Sequence, residues 1–100
     1  MNTKRLFLIG GLVLLAACVP LPPAGVVVVA VRPPSYPVEV VPVAPGPDYF
    51  WIGGYWAWGG AEYYWVPGRW EARPHPRAIW VPGRWRGARH GWYWVPGHWR

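Results

Sequence analysis

The chain has 100 residues, enough for one small domain, and holds 10 Trp, 14 Pro and 13 Gly against 4 acidic residues. Ser35, Thr3 and Asn2 are the only residues of their kinds and Gln is absent, so the side chains that usually carry catalysis are scarce, which argues against an ordinary enzyme. The formal charge is +6, and a content of 53% hydrophobic and 18% aromatic residues is too apolar for a solvated disordered chain.

The first element in chain order is an export signal. Lys4 and Arg5 precede an uncharged, mostly apolar run from Leu6 to Ala17, long enough for a signal-peptide core and too short to span a bilayer. The run ends in Leu15-Ala16-Ala17-Cys18, which resembles the bacterial lipobox. That resemblance implies removal of residues 1–17, diacylglycerol on the Cys18 sulfur and acylation, typically palmitate, of the new amine. Loss of Lys4 and Arg5 would lower the charge from +6 to +4. Two or more acyl chains make anchoring stable. Val19 stands where an Asp would signal inner-membrane retention, so the expected address is the outer membrane of a Gram-negative envelope. Cys18 is the only cysteine, which leaves an exported chain with no internal disulfide.

Residues 18–48 form the second segment, rich in Pro, Val and Ala, with Pro22-Pro23 and Pro33-Pro34 favouring a semi-rigid extended spacer. The β-branched run 26–31 is open to two readings, as part of that spacer or as an edge strand of the following domain. Pro42 restricts the neighbouring run, Pro37 to Val43, to an edge as well.

Residues 49–100 contain four in-phase segments, YFWIGGYW at 49–56, YYWVPGRW at 63–70, AIWVPGRW at 78–85 and WYWVPGHW at 92–99. Each obeys Trp-x-x-Gly-x-Trp. Their spacing fits strand, turn and returning strand, so the predicted fold is all-β: a small antiparallel meander of hairpins, curled or barrel-like. The segments resemble the bacterial WXXGXW repeat lipoproteins, also called YXWGXW. The resemblance implies an envelope location and a repeat architecture, and says little about activity.

Pro67-Gly68 has a type II turn preference, with positive φ at the glycine, and Gly83 and Gly97 occupy the same place. On this reading Trp51 faces Trp56, Trp65 faces Trp70, Trp80 faces Trp85 and Trp94 faces Trp99. A type II turn twists against a tight hairpin, so a wider loop or a bulge at the glycine is the alternative. Strand alternation then predicts all ten tryptophans on one face, with Arg69 and Arg84 on the other. Ten exposed indoles would far exceed the apolar patch a soluble monomer tolerates. The face must therefore close on itself, pair with a second copy, or meet an envelope protein, a glycan or lipid.

Catalytic machinery is not recognisable, because Glu62 and Glu71 occur once each and outside any motif. His75, His90 and His98 lack metal-site spacing, so neither a metal nor a cofactor is expected. Arginines among aromatics suit nucleic acid, but an exported protein points them instead at lipopolysaccharide phosphates or anionic glycans. The reading is a lipid-anchored, non-catalytic envelope binding or structural module, with Trp65, Trp70, Trp80, Trp85, Trp94, Trp99, Arg69 and Arg84 as candidate contacts. A module stacking peptidoglycan or lipopolysaccharide sugars on exposed Trp is the alternative.

Overall fold

The computed structural model describes residues 21–100; Cys18 and the predicted signal segment lie outside them. Eight strands follow in order: β1 (Tyr49–Ile52), β2 (Tyr55–Trp58), β3 (Tyr63–Val66), β4 (Arg69–Ala72), β5 (Trp80–Val81), β6 (Arg84–Ala88), β7 (Gly91–Val95) and β8 (His98–Trp99). The predicted all-β class of antiparallel hairpins is what forms, in small two-stranded sheets rather than a closed barrel.

The connectivity differs from a meander. β1 pairs with β4 and β2 with β3, and the two ladders share one register, from Tyr49↔Ala72 through Trp51↔Trp70 to Trp56↔Trp65 and Trp58↔Tyr63. Residues 49–72 are therefore a single long hairpin, interrupted where Gly53-Gly54 lies opposite Pro67-Gly68. Residues 80–99 repeat the design. Trp80↔Trp99 belongs to β5–β8 and Trp85↔Trp94 to β6–β7, with Pro82-Gly83 opposite Pro96-Gly97 at the interruption.

The reversals occur elsewhere. Gly60-Ala61 closes the first hairpin, with Gly60 at φ +96°, supplying the positive φ that a tight hairpin connection needs. Arg89-His90 closes the second, followed by Gly91 at φ +152°. A Cβ on Gly91 would meet the Val29 carbonyl, because Val29 exchanges two 2.7 Å backbone hydrogen bonds with Trp92 on the outer edge of β7. Of the run 26–31, only Val29 joins the sheet, as a single antiparallel bridge.

The two ribbons stack. Hydrogen-bonded and open pairs alternate along an antiparallel ladder, and residues at open positions project from one face. Arg73 donates to the Asp48 carbonyl and Gly59 to that of Glu62, which puts Trp51, Trp56, Trp58, Trp65 and Trp70 at open positions. Ile79 and Arg100 exchange hydrogen bonds, and Trp92 spends its backbone groups on Val29. Trp80, Trp85, Trp92, Trp94 and Trp99 are then open as well. The opposite face of the first ribbon, with Phe50, Ile52 and Tyr55, covers the Trp face of the second. Tyr55 stacks on Trp94 at 4.8 Å, Phe50 meets Trp99 edge-on at 5.9 Å, and Trp85 Nε1 donates to the Trp56 carbonyl at 2.8 Å. Buried apolar residues among those described are few, namely Val29, Ile52, Ala78 and Tyr93. Ring-on-ring contacts, worth about 0.5–1.5 kcal/mol each beyond area burial, take the place of a large aliphatic core.

Candidate functional site

The motif spacing has a geometric reason. Trp51 and Trp56 are five positions apart and would lie on opposite faces of an unbroken strand. At the interruption both strands shift phase by one residue, and the second Trp of each motif returns to the face of the first. The predicted single face of ten tryptophans is thus divided into two faces of five, one on each ribbon, because the two hairpins are separate and stacked, and the predicted pairs do not form. Trp51 meets Trp70 at 5.4 Å, Trp56 meets Trp65 at 5.3 Å, Trp80 meets Trp99 at 5.3 Å and Trp85 meets Trp94 at 5.6 Å.

The glycines are explained by contact and not by φ. Among the described residues only Gly25, Gly60 and Gly91 have positive φ, so Gly68, Gly83 and Gly97 do not adopt the expected turn conformation. Instead the first Trp of each motif lies over the Gly of the motif opposite. A Cβ on Gly68 would fall against the Trp51 ring and one on Gly54 against Trp65. Gly83 stands in the same relation to Trp94, and Gly97 to Trp80. Two facing motifs thus form one reciprocal unit.

The interruption also frees backbone donors, and in the first ribbon Glu39 takes them. One carboxylate oxygen accepts from the Gly54 amide at 2.6 Å and the other from the Gly68 amide at 2.8 Å. Segment 35–42 thereby lies as a strap across the first Trp face. Trp56 Nε1 donates to the Ser35 carbonyl at 3.2 Å, Trp70 Nε1 to the Pro42 carbonyl at 3.0 Å, and Tyr36 packs edge-on against Trp65 at 5.6 Å. Burial pushes the Tyr36 and Tyr63 phenols above the ordinary tyrosine range. The Tyr63 hydroxyl donates to the Val31 carbonyl, tying the upstream segment down at a further point.

The candidate contacts divide accordingly. Trp65 and Trp70 lie under the strap, whereas Trp80, Trp85, Trp94 and Trp99 face the first ribbon; all ten tryptophans are half-buried. Arg69 is exposed, 3.4 Å from Glu71 in a surface ion pair of the kind worth about 0–1 kcal/mol, and Arg84 is exposed. Glu39 was not signalled by any motif; its only sequence cue is a lone acid within an apolar Pro-Val run. Between the Val26–Val29 segment and the ribbons lies an apolar cleft of about 330 Å³ bordered by Tyr55, Trp58, Trp85 and Trp94. No cluster of three His, Cys, Asp or Glu side chains forms among the described residues.

No curated protein and no solved structure matches the chain. A family model for the WXXGXW repeat matches twice, at residues 46–71 and 79–100, so that each match spans nearly one complete hairpin and takes in one facing pair of motifs. With both of its hairpins matched in this way, the chain belongs to the WXXGXW repeat family.

Proposed function

We propose that the chain is an outer-membrane-anchored lipoprotein whose Trp-lined ribbons form a non-catalytic binding or structural module of the cell envelope. The observation carrying the binding part is the strap: the first Trp face holds an extended Pro-rich segment through two indole N–H groups, one ring contact and two amide–carboxylate bonds. A surface that holds such a segment of its own chain has the chemistry to hold one from a partner. The anchoring part rests on Leu15-Ala16-Ala17-Cys18. Sugar stacking has less support, because it needs open indole faces and the ten rings are half-buried against strap, ribbon and one another.

Metabolic labelling with an alkyne fatty acid, followed by outer-membrane fractionation, tests the anchor. Wild type is expected to carry the label in that fraction, and Cys18→Ser to lose both label and processing. An unlabelled wild-type chain retaining Met1 would refute the lipoprotein reading. For the module, the strap peptide Pro37–Val43 added to a Glu39→Ala chain is expected to restore the native Trp emission, while peptidoglycan fragments leave it unchanged. The reverse result would favour the sugar-binding reading.

A further inference from the structure

The two ribbons share one design, but only the first has an acid at its interruption. Gly83 corresponds to Gly54 and Gly97 to Gly68, the two residues whose amides are held by Glu39. In the second ribbon the two glycines lie close together: a Cβ built on Gly83 would lie 2.9 Å from the Gly97 nitrogen, and one on Gly97 2.8 Å from the Gly83 nitrogen. Neither amide has a hydrogen-bond acceptor among the described residues. Both border a cavity of about 170 Å³ between the ribbons, walled by Trp80 and Trp94 on one side and by Ile52, Tyr55 and Arg69 on the other.

We infer that this cavity is a carboxylate-binding site, in which the Gly83 and Gly97 amides hold the two oxygens as Gly54 and Gly68 hold those of Glu39, with Arg69 turning from its exposed, weak 3.4 Å pairing with Glu71 to supply the charge. Two neighbouring backbone N–H groups left without acceptors favour an anion, and hydrogen bonds to an ionised acceptor are the stronger kind. Apolar walls select an acid with a short hydrocarbon stem over a fully hydrated inorganic anion. At about 30 Å³ per water, the volume admits a carboxylate and a few attached carbons. The acid is either a free small organic acid or an acidic side chain on an extended peptide, Glu39 in its Pro-Val-Glu-Val-Val setting being the internal example of the second. The site does not depend on lipid attachment, so it goes beyond the proposed anchoring role.

The test is amide NMR of the ¹⁵N-labelled full chain in detergent micelles. Sodium acetate and the capped peptide Pro-Val-Glu-Val-Val-Pro are titrated separately, with sodium chloride at equal ionic strength as control. Saturable shifts are expected at Gly83 and Gly97, while Gly54 and Gly68 stay still because Glu39 holds them. Response to acetate alone identifies a free acid, and response to the peptide identifies an acidic side chain. Arg69→Gln should weaken binding about tenfold and leave the Trp65 and Trp70 indole resonances in place. Failure of both probes to shift Gly83 and Gly97, or equal shifts with chloride, would overturn the inference.

Discussion

At the scale of the residue, glycine in this motif makes room for a neighbour's ring. Gly68 and Gly87 separate that role from general glycine flexibility, because a Cβ on Gly68 runs into Trp51 whereas one on Gly87 stays 3.7 Å from Trp92. Gly68→Ala is expected to destabilise the fold by about 1–3 kcal/mol, the range for overpacking. Gly87→Ala should be neutral, or stabilising by up to about 1 kcal/mol through loss of unfolded-state entropy. Thermal melts of the two variants check the contrast, and equal melting temperatures would argue against ring contact. Glu39 is the second decisive residue. Glu39→Gln sets an NH₂ against one of two amide donors, and the unsatisfied group is expected to cost about 1–3 kcal/mol, measurable by urea denaturation together with faster hydrogen exchange at Gly54 and Gly68.

At the scale of the element, period, repeat and the alternation of faces were readable from the tryptophans, but the partner of each strand was not. A Pro-Gly pair is a strong local turn signal, and the signal misled here because two interruptions lie opposite each other and absorb the distortion jointly. The actual reversals, Gly60-Ala61 and Arg89-His90, are brief and carry weaker punctuation. Glu39 was equally silent, since its role arises only when a distant segment folds over the ribbon. The run 26–31 had strand composition along its whole length, yet only Val29 finds a partner, beside the open edge at Trp92. Faces were legible and give a paired prediction. Trp80→Ala removes the ring against Trp99 and uncovers Gly97; a loss of about 2–4 kcal/mol is expected, near the low end for aromatic truncation because the ring is half-buried. Arg84→Ala, exposed on the other face, should change stability by no more than about 0.5 kcal/mol. Chemical denaturation of both variants measures the difference.

At the scale of the whole molecule, the ribbons and the strap form a stack in which each Trp face is covered by whatever lies before it in the chain: the strap covers the first ribbon, and the first ribbon covers the second. This order explains how a chain with ten tryptophans and few fully buried residues half-buries every one of its indoles. It rests on one claim, that facing motifs lie on opposite strands of a long hairpin instead of on either side of a turn. Cross-strand nuclear Overhauser effects decide it, because Cα atoms at open antiparallel pairs are only about 4.5 Å apart and their Hα protons give strong contacts. Hα–Hα contacts are expected for Trp51 with Trp70, Trp56 with Trp65, Trp80 with Trp99 and Trp85 with Trp94. Contacts of Trp51 with Trp56 and of Trp65 with Trp70, in place of these, would contradict it.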